Sequence, residues 1–155
     1  MKKAIFCAAA LMFGTMVSAQ ILPGPINTSD VDQIGNSNSA DVDQYGSDMT
    51  STIYTSGNDN DAKVSQGSDG FGTENNWAYI RQVGDDNSAK IIQNDDFDTP
   101  QSDNWAKITQ LGDDNDADIV QSAATSEAEQ YQDGNNNDAD LFQTGRGHWS
   151  YESQV

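Results

Sequence analysis

Carboxamides recur along this chain as if laid out on a ruler. One series runs Gln33, Gln44, Thr55, Gln66, Gln82, Gln93, Gln110, Gln121, Gln132, Gln143 and Gln154, and every interval is eleven residues except two. Six residues before each member stands a second series, Asn27, Asn38, Met49, Asn60, Asn76, Asn87, Asn104, Asn115, Ser126, Asn137 and His148. A carboxamide is neither a nucleophile nor an acid–base catalyst at neutral pH; it offers two N–H donors and one acceptor oxygen. The chemistry this pattern supports is hydrogen bonding between copies of the same group. Buried alone, an amide costs roughly 2–7 kcal/mol, but in a column each amide donates to one neighbour and accepts from the other.

Such columns need extended strands to hold them. Between the two markers the unit reads N-x-A-x-φ-x-Q-x-G, where φ is usually aliphatic: Val31, Val42, Ile53, Val64, Ile80, Ile91, Ile108, Ile119 and Leu141. Positions N, A, φ and Q are two apart, so in a strand all four side chains face one way. The closing Gly35, Gly46, Gly57, Gly84, Gly112, Gly134 and Gly145, with flanking Asn and Asp, mark turns. Successive units alternate in detail, so the true period is 22 residues, with two strands per repeat. Five repeats span 27–44, 49–66, 76–93, 104–121 and 126–143, and a half-repeat covers 148–154. The two longer intervals hold inserts at the same corner, 67–75 and 94–103. Stacking the units ~4.8 Å apart predicts an all-β solenoid of two parallel, in-register sheets, cross-β in any fibre it builds.

The rest of the chain narrows the function. Lys2 and Lys3 precede an apolar run that ends in Val17-Ser18-Ala19, which reads as a secretory signal peptide over 1–19 cleaved after Ala19. A short lead, 20–26, then precedes the first strand, and no later segment reaches the ~20 apolar residues of a spanning helix. Cys7 is the only cysteine and leaves with the signal, so disulfides and thiolate metal sites are excluded. Loss of the two lysines leaves five cations against 25 acids, a net charge of −20, which argues against a nucleic-acid partner. So few apolar residues would ordinarily give disorder; repetition is what supplies cohesion here. No nucleophile, base and orienting group stand apart from the repeat, and the sole histidine, His148, occupies the asparagine series, so no catalytic, metal or cofactor site is expected.

With this frame in hand, the chain resembles the curlin repeat family, S-x5-Q-x-G-x-x-N-x-A-x3-Q; N-W-A-K-I-T-Q-L-G-D-D-N-D-A-D-I-V-Q at 104–121 matches it with Asn for the leading Ser. The resemblance implies a secreted subunit of an extracellular bacterial amyloid, the fibre of biofilms, passed unfolded through an outer-membrane channel and polymerised at the cell surface. Its implied partners are further copies of itself, a nucleator subunit and the secretion machinery. Two alternatives stand beside the major fibre subunit: a minor nucleating or anchoring curlin, and a monomeric surface-binding β-solenoid. A calcium-binding β-roll would need glycine-rich nonapeptides, which an eleven-residue unit does not provide.

Further expectations concern the ends and the surface. The solenoid lacks an evident capping helix, so its end strands are expected to template addition of another copy. Gln130 stands where an aliphatic belongs, and the final strand is expected to present His148 and Glu152 inward. Acids such as Asp41, Asp43, Asp61, Asp85, Asp86, Asp113, Asp114 and Asp118 are expected outward, where stacked like charges oppose assembly and salt, acid or divalent cations relieve the repulsion. Trp77, Trp105 and Trp149 share one outward slot, an aromatic stripe suited to adhesion or to simple stacking.

Overall fold

A computed structural model describes residues 19–21, 26–67, 75–94 and 103–155; the expected signal segment up to residue 18 and most of both inserts lie outside the described residues. Alternation of period two gives strands throughout, and no helix occurs among the described residues. The strands are β1 (Ala19–Ile21), β2 (Thr28–Ile34), β3 (Ser39–Gln44), β4 (Thr50–Ser56), β5 (Asp61–Gln66) and β6 (Trp77–Val83). Then follow β7 (Ser88–Asn94), β8 (Trp105–Leu111), β9 (Asp116–Ala124), β10 (Glu127–Asp133), β11 (Asp138–Arg146) and β12 (Trp149–Gln154). Odd-numbered strands form one six-stranded sheet in the order β1-β3-β5-β7-β9-β11, and even-numbered strands form the other, β2 to β12. Every pairing is parallel. The molecule is a β-solenoid whose coil crosses from the even to the odd sheet within each repeat.

Register between rungs keeps like residues together. In the odd sheet Val42, Val64, Ile91, Ile119 and Leu141 stand in line, as do Ala40, Ala62, Ala89, Ala117 and Ala139. In the even sheet the line runs Val31, Ile53, Ile80, Ile108, Gln130 and Glu152. These aliphatic and alanine columns make one continuous core. A one-residue slip of any strand would turn its aliphatics to solvent, which fixes the register.

The corner from the even to the odd sheet is the same in each repeat. A glycine at positive φ follows the strand, and two residues later a second residue adopts the left-handed conformation: Gly57 with Asp59, Gly84 with Asp86, Gly112 with Asp114. Asp and Asn tolerate that conformation better than other side chains. Glycine is obligatory for a second reason. A Cβ on Gly84 would lie 2.0 Å from the carbonyl oxygen of Gly112 in the next rung, so the glycines stack backbone on backbone.

Two features depart from the sequence reading. The lead 20–26 was expected to lie outside the solenoid, but Ala19–Ile21 forms β1 and pairs with β3, Gln20 opposite Asp43. It crosses the expected cleavage point, and the outer edge of β3 offers backbone groups for an extended segment to pair with. Gly145 was expected in a turn; it lies inside β11 opposite Ala123, because β9 has no glycine after Gln121 and both strands run three residues past the glutamine that ends the repeat. The turn into β12 falls instead at Gly147. His148, on the last rung, is exposed, with its Nε2 lying beside Gly145.

Candidate functional site

The candidate site is the set of stacked carboxamides, held on one face of each strand by the period-two alternation. In the odd sheet Gln44, Gln66, Gln93 and Gln121 each donate from Nε2 to Oε1 of the glutamine one rung further on, at 2.9 Å in every case, ending at Gln143. The second Nε2 hydrogen crosses to the opposite sheet. Gln44, Gln66, Gln93, Gln121 and Gln143 donate to the carbonyls of Thr28, Thr50, Trp77, Trp105 and Glu127. Each glutamine therefore ties its rung to the next and its own two strands to each other.

The even sheet repeats the device in part. Gln82, Gln110 and Gln132 donate to Gln110, Gln132 and Gln154 at 3.0–3.1 Å, and reach across to the carbonyls of Asp61, Ser88 and Asp116. Below Gln82 the column is interrupted by Thr55. Gln33 Nε2, Thr55 Oγ1 and Gln82 Oε1 are buried without a hydrogen-bond partner.

Asparagines fill the corner and point the other way. Asn60, Asn87, Asn115 and Asn137 donate from Nδ2 to Oδ1 of Asn38, Asn60, Asn87 and Asn115, at 3.0–3.1 Å. Each acceptor also takes the backbone N–H of the asparagine above it. Asn38, Asn60, Asn87 and Asn115 further donate to the carbonyls of Gly57, Gly84, Gly112 and Gly134. Glutamine Oε1 atoms thus face the preceding rung and these asparagine Oδ1 atoms the next, while asparagine Nδ2 donates to both neighbours. At the opposite corner Asn27 Oδ1 accepts the Met49 N–H, and Asn76 and Asn104 accept the N–H groups of Asn104 and Ser126. Met49 has no amide to offer, and Asn76 Nδ2 is left without a partner.

A further column escaped the sequence reading. Asn58, Asp85, Asp113 and Asn135 follow the corner glycines, and their Oδ1 atoms accept the N–H groups of Asn36, Asn58, Asp85 and Asp113 at 2.7–3.2 Å. These aspartates belong to the stacking machinery as well as to the acidic surface. The signal was present: only Asn or Asp occupies those four positions. Beside them, burial and then the carboxylates of Asp114, Asp59, Asp85 and Asp113 push the Asp86 carboxyl above its ordinary range.

Outward charges are more evenly matched than expected. Asp41 and Asp118 do not face other acids alone: Lys63 pairs with Asp41 at 3.1 Å, Lys90 with Asp118 at 2.9 Å and Lys107 with Glu129 at 2.6 Å. The hydrogen bond and charge of Asp41 raise the Lys63 ammonium pKa. Trp77 and Trp105 stack with ring centroids 5.0 Å apart, and Tyr79 continues the stack at 5.8 Å. Trp149 shares their column but is separated from them by Glu127, so the three tryptophans do not form a continuous stripe. Gln130, in the aliphatic column, is fully buried and donates to the Ala139 carbonyl across the core. No group of three or more His, Cys, Asp or Glu is arranged to hold a metal ion among the described residues. Among the described residues no helix is long and apolar enough to cross a membrane.

Parallel in-register sheets closed by amide columns define a self-stacking repeat protein rather than one organised around a pocket. The family model of the curlin associated repeat matches residues 27–54, 35–67 and 73–94. Residues 27–67 and 73–94 are therefore similar to the curlin associated repeat. Comparison with curated proteins and with solved structures gives no match.

Proposed function

We propose that the chain is a structural subunit of an extracellular, curli-like amyloid fibre, growing by templated end-to-end stacking and supporting a biofilm matrix and cell adhesion. The observation that supports this reading is the unbroken repetition of the odd sheet's interior columns from β3 to β11. The outermost described strand of the even sheet, β12, receives from Gln132 the bond that Gln132 receives from Gln110, and a strand of another copy laid on its outer edge would meet the same groups again. Such an edge is a template for pairing. By likeness to the curlin associated repeat, the partners are further copies, a nucleator and outer-membrane secretion machinery, and the location is outside the cell.

The test starts from residues 20–155 purified in denaturant and diluted, followed by circular dichroism, microscopy and fibre diffraction. A lag from disorder to β-structure, removed by preformed seeds and ending in fibres with a reflection near ~4.8 Å, is the expected result. Prompt folding to a soluble monomer that ignores seeds would overturn the fibre reading and favour a monomeric, surface-binding solenoid.

A further inference from the structure

Both amide columns of the even sheet fail together at β4, while at β10 only the asparagine column is broken, by Ser126. Met49 precedes β4 and Thr55 lies near its end. At the column positions around them Asn76 Nδ2, Gln33 Nε2, Thr55 Oγ1 and Gln82 Oε1 lack partners, as do Ser47 Oγ and Ser51 Oγ beside them, whereas the level of β10 has two such atoms, Ser126 Oγ and Gln130 Oε1. Met49, Thr55, Asn76 and Gln82 are buried, with exposures of 1% or less. The atoms left over have the right polarity for the missing amides. Gln82 Oε1 awaits a donor from the N-terminal side, as Gln110 Oε1 receives one from Gln82. Asn76 Nδ2 stands where its counterpart Asn87 Nδ2 donates to the asparagine of the rung before it. The odd sheet passes the same level without interruption, through Gln44, Gln66 and Gln93.

We propose that Met49 and Thr55 are a built-in fault that sets the order and rate of assembly. Stacked amides bind cooperatively, because each bond pre-orients the next group in the column. In the even sheet that cooperativity runs without a break only from Gln82 to Gln154. The rungs from β6 onward order first and act as the nucleus; β2 and β4 join afterwards, drawn in through the odd sheet and the Val31, Ile53 and Ile80 column. Orphaned buried polar groups at this level raise the free energy of every state in which β4 is docked, so β2 and β4 are withheld from the nucleus and fewer rungs share its cost; growth on a preformed end, which supplies a complete template, is held back less. The inference rests on the fibre reading for its assembly measurement but not for its folding measurement.

The experiment compares residues 20–155 with the double variant Met49→Asn/Thr55→Gln, and with a mirror variant, Asn104→Met/Gln110→Thr, that moves the fault to β8. Unseeded lag time and seeded growth are measured, and pulsed hydrogen exchange records when each strand becomes protected. The repaired chain is expected to nucleate on the order of tenfold faster or more, with a smaller change in seeded growth. In the unaltered chain 77–83 and 105–111 should be protected before 28–34 and 50–56; in the repaired chain the four should be protected together. The mirror variant should lengthen the lag and delay protection of 105–111. An unchanged or longer lag in the repaired chain, or earliest protection of 28–34 and 50–56 in the unaltered one, would overturn the proposal. If the unaltered chain folds but never grows on seeds, the fibre reading falls, and the order of protection still decides whether the fault exists.

Discussion

The two corners of this solenoid have the same task and solve it differently. At the corner that leads into β3, β5, β7, β9 and β11, the glycines stack backbone on backbone, a left-handed residue follows, and two side-chain columns, one of Asn and one of Asn and Asp, run through the turn. At the opposite corner the linking segments differ in every repeat: Y-G-S-D-M after Gln44, long inserts after Gln66 and Gln93, S-A-A-T-S after Gln121. One corner is a spine built by contact between rungs, and the other a margin where chain length is free to vary. The comparison teaches that a solenoid needs only one strictly repeated edge to keep its strands in register.

The largest expected effect comes from breaking the spine. A Gly-Ser pair inserted between Asp85 and Asp86 should abolish the transition from disorder to β-structure in circular dichroism, because that rung can no longer stack. The same pair between Asp96 and Phe97, in the long insert, should shift the denaturation midpoint by no more than about 0.6 kcal/mol, the entropic cost of modest loop growth. Next comes Gly84→Ala. The positive φ costs roughly 1–3 kcal/mol and overpacking against Gly112 about as much again. Gly134→Ala shares the positive φ, but its Cβ would meet nothing closer than 3.5 Å, so the difference in denaturant midpoint between the two variants isolates the stacking contact.

Smaller effects separate the corners more finely. Asn87→Ala strips partners from Asn115 Nδ2 and the Gly112 carbonyl, and should cost about 2–4 kcal/mol by chemical denaturation. Asn76→Ala, at the variable corner, removes an Nδ2 that already lacks a partner, and should cost only about 1–2 kcal/mol. The smallest effect is electrostatic. The Asp86 carboxyl titrates above its ordinary range in the fold, so the folded state binds that proton more tightly than the unfolded chain does. Stability should rise as pH falls through the folded-state value, reach its full gain below the ordinary carboxylate pKa, and be lost again as pH rises. Asp86→Asn should flatten that part of the pH profile; an unchanged profile would remove Asp86 as its source.

Much of the architecture was legible because two periods coincide in the sequence, two residues within a strand and 22 between rungs. Together they place Val42, Val64 and Ile91, or Gln66, Gln93 and Gln121, in register before any coordinates exist. What the periods do not carry is chemistry that depends on direction or on neighbours in the stack. Asp85 and Asp113 read as solvated acids, yet they accept backbone N–H groups, because only the stacked turn brings the amide of the preceding rung to them. Lys63 with Asp41 and Lys90 with Asp118 are pairs chosen by which residues happen to be vertical neighbours. Trp149 lost its stack to Glu127 for the same reason. Gly145 became part of a strand because its partner β9 lacks the glycine, something the motif in β11 alone does not reveal.

The opposed directions of the two kinds of amide bear on length. Aligned peptide dipoles in an α-helix add up, so that its ends carry partial charges. Here glutamine side-chain carbonyls point one way along the axis and asparagine side-chain carbonyls the other, while backbone groups such as Thr28 N–H and Gly57 N–H donate in opposite senses. Their dipoles largely cancel rung by rung. An array of such rungs builds up little axial field as it grows, so the last strand of a long stack presents nearly the same electrostatic face as the last strand of a short one.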